Sequence, residues 1–131
     1  MTQPRLDVIG IIVRDMPSAL AFYRQLGLDL PAEMDAQGHV DAFLPGGMRL
    51  SFDTHAVIRS FRPDFQPAEG HLHKMNLAFL CASPADVDAL YARLTEQGAE
   101  PGKAPFDAFW GQRYAQVHDP DGNVIDLFAA L

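Results

Sequence analysis

The beginning of the chain joins a short apolar run to apolar residues at helical spacing. The run at 7–13 is rich in β-branched residues, which is typical of a strand covered on both faces. Asp15 is a favourable N-cap, Pro17 suits a first helical turn, and Gly27 can end the helix. The apolar helical positions between them are Leu20, Tyr23 and Leu26. The pattern predicts a strand followed by a helix.

The same order of signals returns in the second half of the chain. An apolar run at 76–81 precedes Ser83 as N-cap, Pro84 in the first turn and Gly98 as the stop. The apolar helical positions are Val87, Leu90, Tyr91 and Leu94. This helix is about one turn longer than the first, so the same face stays buried. The repeat predicts two similar modules in tandem.

Strand-like segments follow each predicted helix. They lie at 32–34, 39–44 and 48–53 in the first module, and near Glu100, at 113–118 and at 123–128 in the second. Each module is therefore β-α-β-β-β. The predicted fold class is α+β, with two tandem modules forming a cupped mixed sheet around a cleft. We expect a single domain over 1–131, with modules at about 1–54 and 75–131 and a strap at 55–74.

The strap is longer than ordinary connections between elements. It contains three residues that break regular structure and four that carry rings, namely Pro63, Pro67 and Gly70, and Phe61, Phe65, His71 and His73. Its phenylalanines argue against simple disorder. We interpret it either as a lid or as a connection between the modules.

The segment 110–131 predicts a hairpin. Asp119 starts its turn, and Gly122 and Asn123 are residues that tolerate positive φ. β-rich sequence flanks the turn on both sides. The return strand carries a carboxylate, Asp126, in the middle of apolar residues.

Asp126 is the unusual residue of this hairpin. Alternation along the strand places it on one face with Val124 and Phe128. A lone charge among apolar neighbours is costly unless something pairs with it. Its partner is either an arginine, with Arg113 and Arg49 as candidates, or a cationic ligand.

Charge and cysteine content narrow the class of function. The net charge is −7 and the ten Lys and Arg are scattered, so nucleic acid is not an expected partner. Cys81 is the only cysteine, which excludes an intramolecular disulfide, and we expect a buried structural thiol. No apolar stretch reaches the roughly 18 residues that span a bilayer, and the N-terminus lacks a signal-peptide pattern. We expect a cytoplasmic protein without membrane contact.

Two motifs that open and close the repeat resemble those of a known family. They are Val13-Arg-Asp-Met-Pro-Ser-Ala-Leu-Ala-Phe-Tyr23 and Asp119-Pro-Asp-Gly-Asn-Val-Ile-Asp126. With them, essentially the whole chain resembles the glyoxalase/bleomycin-resistance/dioxygenase superfamily, also called vicinal oxygen chelate proteins. The segment 110–123 is especially similar to the bleomycin-resistance branch. The resemblance implies a paired-module fold with a cupped sheet, assembled as a homodimer or as an intramolecular equivalent.

Enzymes of this superfamily hold a divalent metal ion with His and Glu ligands on the first and last strands of the modules. The resemblance assigns these places to Val8, Ser51, Asn76 and Asp126. Valine cannot coordinate a metal, serine and asparagine are weak ligands, and one carboxylate alone does not hold a divalent ion. His71 and His73 are alternative ligands, but His73 faces away from Asn76 if the strand is continuous. We expect no metal and no cofactor.

The favoured hypothesis is a protein that binds a small molecule, such as an antibiotic, without transforming it. Aromatic residues before the turn, including Phe106, can join Phe61 and Phe65 as flat walls for a ligand. Core or dimer packing is the alternative role of each aromatic. The candidate ligand-binding residues are Asp126, Trp110, Tyr114, Phe109, Arg113, His118, Asn76 and Ser51.

Two other hypotheses stay open. An enzyme would use Asp126 as a general base beside Arg113 or His118, or a metal with atypical ligands as a glyoxalase-type lyase, isomerase or dioxygenase. The sequence has no nucleophile motif and no phosphate loop, which makes an enzyme the less favoured hypothesis. The remaining hypothesis is a dimeric scaffold whose ancestral site has lapsed.

Overall fold

The computed structural model describes residues 3–70 and 72–131. They form two compact units, of which the first ends at Ala68 and the second begins at Glu69. Each unit combines helices with one mixed sheet, so the predicted α+β class is confirmed. Within these residues no helix is long and apolar enough to cross a membrane.

The first unit has a three-stranded sheet. Its elements are β1 (Val8–Val13), α1 (Met16–Gln25), a 3-10 helix (Ala32–Ala36), β2 (His39–Phe43), β3 (Arg49–Thr54) and α2 (His55–Phe61). The strand order is β1-β3-β2, with β1 parallel and β2 antiparallel to β3. Its most deeply buried side chains include Val13, Leu20, Tyr23, Val40 and Phe52. The apolar positions that define the first module thus form its core.

The second unit has a four-stranded sheet. Its elements are β4 (Leu72–Leu80), α3 (Pro84–Glu96), β5 (Glu100–Ala108), β6 (Gln112–His118) and β7 (Asn123–Ala130). The order is β4-β7-β6-β5, with β4 parallel to β7 and the other pairs antiparallel. Helix α3 packs on β5, β6 and β7. The buried side chains on this side include Val87, Leu94, Ala115, Val117, Ile125 and Leu127.

Helix α1 begins and ends at the residues that the sequence predicts. The Asp15 carboxylate accepts a hydrogen bond from the Ser18 N–H at 3.0 Å. Gly27 adopts a φ of +93°, and the Leu28 N–H then reaches back to the Tyr23 carbonyl oxygen at 3.3 Å. This 6→1 bond is the Schellman C-cap, which requires a residue that tolerates the left-handed region.

Helix α3 repeats this arrangement. The Ser83 hydroxyl accepts from the Asp86 N–H at 3.2 Å. Gly98 has a φ of +102°, and the Ala99 N–H donates to the Leu94 carbonyl oxygen at 3.0 Å. The two helices are therefore capped in the same way at both ends, which confirms the repeat at the level of local structure.

The segment 32–34, predicted as a strand, is part of the 3-10 helix Ala32–Ala36. The Arg24 guanidinium donates to the Leu30 carbonyl oxygen at 2.5 Å and to the Asp35 carboxylate at 2.8 Å. These bonds from α1 tie both sides of the segment to the helix. Local tertiary bonding therefore overrides the weak strand signal.

Regular structure also occupies part of the predicted strap. Thr54 caps α2 by accepting a hydrogen bond from the Val57 N–H at 3.3 Å, and Ile58 is the buried side chain of this helix. A seven-residue helix that buries one apolar residue leaves little periodic signal in the sequence. Strand β4 begins at Leu72, before the end of the predicted strap.

The edge strands differ most from the predictions. β1 was expected to be covered on both faces, but Ile12 is 41% exposed, and on β4 Leu80 is 73% exposed. Cys81 follows β4 and is only half-buried, although that burial raises the pKa of its thiol. β5 is nine residues long rather than a short piece, and its pairing is irregular near Pro101 and Pro105. Proline is tolerated there because β5 is an edge strand.

The β6–β7 turn is organised by the carboxylate of Asp119. This buried side chain accepts hydrogen bonds from the Asp121 N–H at 2.9 Å, the Asn123 N–H at 2.8 Å and the Asn123 side-chain amide at 2.8 Å. Gly122 and Asn123 were both predicted to tolerate a positive φ. Only Gly122 adopts one, of +87°, and Asn123 instead starts β7. The turn sets Gln116 opposite Asp126 in the sheet.

We expect Asp119→Asn to lower the free energy of unfolding by about 1–3 kcal/mol, because the new amide cannot accept from the Asn123 side chain and leaves a buried donor unpaired. Urea denaturation measures the loss. Asp64→Asn is the matched control, since the Asp64 side chain is 79% exposed and its pair with Arg62 is long, at 3.7 Å. Equal losses in the two variants would contradict this role for Asp119.

Candidate functional site

Asp126 is a buried carboxylate at the centre of the second sheet, with 1% of its surface exposed. Its Cα is paired with Gln116 on β6 and with Ala78 on β4. Ile125 and Leu127, its neighbours along β7, belong to the opposite face, where α3 packs. Asp126 therefore points to the face of the sheet away from α3, as the predicted alternation requires.

Three side chains on two neighbouring strands donate hydrogen bonds to Asp126. The Gln116 amide donates to one carboxylate oxygen at 2.8 Å. The Asn76 amide and the Tyr114 hydroxyl both donate to the other oxygen. We call these four residues the Asp126 face. Sequence reasoning named Asn76 and Tyr114 but missed Gln116, which alternation along β6 together with the hairpin register places beside Asp126.

The structure contradicts one of the two partners predicted for Asp126, namely an arginine. Arg113 lies on the α3 side of β6, where its guanidinium contacts Asp88 at 2.9 Å and Asp107 at 3.1 Å. Both contacts raise the pKa of Arg113, with the Asp88 hydrogen bond as the largest cause. Arg49, the other candidate, contacts two different carboxylates in the first unit. Neutral donors replace the expected cation because amide and hydroxyl groups satisfy a buried carboxylate without a second charge to desolvate.

Tyr114 is held in its neutral form by burial and by its contact with Asp126. Burial is the largest cause that raises its pKa, followed by the hydrogen bond and the charge of Asp126, and together they bring it to about 12. A phenolate beside a carboxylate would place two negative charges together. Tyr114 therefore stays a hydrogen-bond donor at physiological pH.

The ring of Tyr114 also belongs to an aromatic cluster. Its centroid lies 5.3 Å from that of Trp110 and 6.3 Å from that of Phe106, with edge-to-face geometry. Phe109 packs on Trp110 at 5.0 Å and is 97% exposed. The Trp110 indole N–H donates to the Gln112 side chain at 2.8 Å. The four rings predicted to gather before the turn are in contact, and we call them the aromatic cluster.

Three further candidates are His118, Phe65 and Phe61. His118 is on β6 and its Nδ1 is 3.3 Å from the Glu100 carbonyl oxygen. Phe65 packs against His55 in the first unit, with ring centroids 5.4 Å apart. Phe61, which was predicted to line a ligand site together with Phe65, is 66% exposed.

The two histidines of the predicted strap are only partly described. His71 lies outside the described residues, whereas His73 is an exposed residue of β4. The prediction that His73 faces away from Asn76 assumed regular alternation along the strand. The β4–β7 register shifts between Leu72 and Asn76, so alternation is interrupted there. That argument therefore does not fix where His73 points.

A family-level comparison of the sequence agrees with this architecture. The sequence profile of the glyoxalase/bleomycin resistance protein/dioxygenase superfamily matches residues 5–127. The chain belongs to this superfamily. The resemblance drawn from the two motifs is thereby confirmed, since the match covers both. No match was found among curated proteins.

Solved structures of this superfamily share the fold. A glyoxalase/bleomycin resistance protein/dioxygenase family enzyme from Burkholderia phytofirmans has a TM-score of 0.80 at 24% identity, over 98% of this chain and all of that one. A glyoxalase/bleomycin resistance protein/dioxygenase from Nocardioides has a TM-score of 0.70 at 26% identity, over 100% of this chain and 86% of that one. A glyoxalase-related enzyme from Fulvimarina pelagi reaches 0.77 at 18% identity, over 97% and 88%.

The metal-ligand places of the superfamily correspond in the two units. Ser51 pairs with Gly10, two residues after Val8, and Asp126 pairs with Ala78, two residues after Asn76. The first unit thus offers a valine and a buried serine where the second offers an amide and a carboxylate. This donor set does not fit a divalent ion, because the Asn76 amide donates to the one carboxylate through its nitrogen, which is not a metal ligand. In the described part of the chain, no three His, Cys, Asp or Glu side chains are grouped to hold a metal.

The first sheet carries a charged network that sequence reasoning missed. His39 lies between two carboxylates, with Nδ1 2.6 Å from Asp53 and Nε2 3.2 Å from Asp41. Arg49 extends the network from Asp41 at 3.3 Å to Asp7 at 2.8 Å. The alternation of His39 and Asp41 along a predicted strand, next to another ending in Asp53, was the available signal. The Asp53 hydrogen bond is the main cause that raises the pKa of His39.

We expect this network to stabilise the fold more at lower pH. The pKa of His39 is raised in the folded chain, so its stabilisation is fully present below the unfolded value of 6.5 and is lost as pH rises through the folded value. The difference in melting temperature between the natural chain and His39→Gln should therefore shrink as the pH rises above 6.5 and through the higher folded pKa of His39. Thermal unfolding followed by circular dichroism measures it. A difference that grows with pH would reverse the assigned charge state.

Proposed function

We propose that this protein binds a small organic molecule with a flat apolar part, on the Asp126 face and the adjoining aromatic cluster, without a metal ion. The observation that carries the proposal is the double contact of Tyr114. Its hydroxyl donates to Asp126, while its ring packs edge-to-face with Trp110. A few oriented polar groups beside aromatic surface are the usual composition of a small-molecule site.

The state of the polar groups supports binding rather than catalysis. Both oxygens of Asp126 accept hydrogen bonds, so a role as general base would first require breaking these contacts. The raised pKa of Tyr114 keeps its hydroxyl protonated near neutral pH, so no phenolate is present to act as a base. Arg113, suggested as an electrostatic helper, is engaged by two carboxylates on the other side of the sheet. These groups can orient a ligand but are poorly arranged to exchange protons with it.

The superfamily description suggests which compounds to test first. It includes bleomycin resistance, so bleomycin-like and other aromatic drugs are suitable ligands. Divalent ions belong in the same screen, because a metal-dependent lyase, isomerase or dioxygenase would be stabilised by its ion.

We expect at least one aromatic compound to raise the melting temperature of the protein, and none of the divalent ions to do so. Trp110→Ala should weaken the binding of that compound about ten-fold, since an aromatic contact contributes about 0.5–1.5 kcal/mol beyond its buried area. Phe43→Ala is the control, because Phe43 is also an exposed aromatic residue, 77% exposed against 48% for Trp110, but lies on β2 of the first unit. Stabilisation by a metal ion alone, or equal losses in both variants, would contradict the proposal.

We also propose that the protein is a homodimer. β4 is an edge strand, and its apolar side chains Met75 and Leu80 are 67% and 73% exposed. Exposed apolar residues on an unpaired strand edge favour association with another chain. Contact with a second copy would remove them from water.

Light scattering should give twice the mass of one chain, and Leu80→Glu should shift the protein towards one chain, because a buried carboxylate in the contact is costly. Phe43→Glu introduces the same charge at another exposed apolar position and should leave the mass unchanged. A mass of one chain for the natural protein at micromolar concentration would remove this proposal.

A further inference from the structure

The hydrogen bonds around Asp126 determine which atoms its partners leave for a ligand. An ionised carboxylate only accepts hydrogen bonds, so each partner must present a donor to it. Tyr114 donates its single hydroxyl hydrogen to Asp126. The phenolic oxygen keeps its lone pairs and can only accept from a ligand.

The two amides are oriented by the same rule. Asn76 and Gln116 turn their nitrogen atoms towards Asp126. Rotating either amide by half a turn would set its carbonyl oxygen against a carboxylate oxygen, which is repulsive. Neither carbonyl oxygen accepts a hydrogen bond in the part of the chain that the structure describes, and that of Gln116 is not sealed from solvent. Each amide keeps one further N–H, but its oxygen stays available as an acceptor.

The position of Gln116 is further restricted by strand β5. A Cβ atom added at Gly102 would come within 3.0 Å of both the Cβ and the carbonyl oxygen of Gln116. Only a glycine lets the β5 backbone approach β6 so closely. β5 therefore packs tightly against Gln116, whose side-chain oxygen is one of the available acceptors.

The negative charge of Asp126 has no cationic partner in the described residues, because its three hydrogen-bond donors are all neutral. Charges act more strongly in a partly desolvated site than in water. The basic residue that pairs with Gln116 across the sheet is Lys103, and its ammonium lies 5.1 Å from the centroid of Phe106, over a ring of the aromatic cluster. The cluster thus already holds one cation against a ring.

We infer that the ligand of the Asp126 face is a cationic hydrogen-bond donor attached to a flat ring, such as an aromatic amidinium, guanidinium or protonated amine. This inference rests on the proposed binding function. The N–H groups of the ligand donate to the oxygens of Tyr114, Asn76 and Gln116, and its ring packs on Trp110. Asp126 acts as a positioning residue, since it orients these oxygens and supplies the charge without touching the ligand.

The test is a titration with benzamidine, benzamide and benzoate, which share shape and ring but carry a positive, a neutral and a negative group. Chemical shifts of the Trp110 indole and the Asn76 and Gln116 amides report binding. We expect benzamidine to bind about ten-fold or more tightly than benzoate, with benzamide between them, because a hydrogen bond to a charged group is stronger than a neutral one.

Variants separate the local effect from the general acidity of the protein. Asp126→Asn should reduce the preference for benzamidine over benzoate about ten-fold, because the amides are then free to turn. Asp107→Asn removes an equal charge from the α3 side of the same sheet and should leave the preference unchanged. Lys103→Gln should strengthen benzamidine binding, since it removes a competing cation. Gln116→Met serves if Asp126→Asn does not fold: it removes one acceptor and one hydrogen bond to Asp126 but keeps the carboxylate, and it should weaken benzamidine binding.

Three results would overturn the inference. Benzoate binding as tightly as benzamidine would show that the charge of Asp126 creates no preference for a cation, while the proposed binding function would stand. An equal loss of preference in Asp107→Asn and Asp126→Asn would reduce the effect to overall charge. Absence of binding by all three probes, together with failure of the aromatic-drug screen, would remove the binding function itself.

Discussion

The register between β6 and β7 is the constraint on which the site depends. Asp119 fixes it by holding the backbone of the turn through hydrogen bonds from Asp121 and Asn123. A slip of one residue would exchange the two faces of β7 and turn Asp126 towards α3 and the apolar core. One buried carboxylate in the turn thus determines where the other buried carboxylate points.

The repeated modules share their construction but not their chemistry. The same caps, glycine stops and strand register occur in both units, down to the two-residue offset at Ser51 and Asp126. At the places where the superfamily binds metal, however, the first unit offers a valine and a serine. In the second unit, three neutral side chains donate hydrogen bonds to the one carboxylate. The two units thus share their construction but differ in the side chains at these places.

Sequence reasoning succeeded where short-range rules decide the structure. Asp15, Ser83, Gly27 and Gly98 predict both helices because capping depends on a few neighbouring residues. It failed where distant residues decide. The 3-10 helix at 32–36 depends on bonds from Arg24. Helix α2 has too few buried positions to show a period.

The same limit applies to the site. Alternation placed Asp126 on its face, and the group of aromatic residues before the turn was visible from their spacing. The neutral partners of Asp126 could not be predicted in this way. Asn76 is fifty residues away along the chain, and Gln116 becomes a partner only through strand register. Charge complementarity suggested an arginine, but Arg113 points to the other side of the sheet.

Arg113 gives the second unit a mechanical property. Its guanidinium holds Asp88 of α3 and Asp107 of β5 at once, from a position on β6. A fork of this kind resists sliding, because displacement of any one element stretches bonds to the other two. The β5–β6 hairpin, whose turn carries Phe109 and Trp110, is therefore fixed to α3 through Arg113. Rigidity on the α3 side of the sheet would lower the conformational entropy that the aromatic cluster loses on binding the proposed ligand.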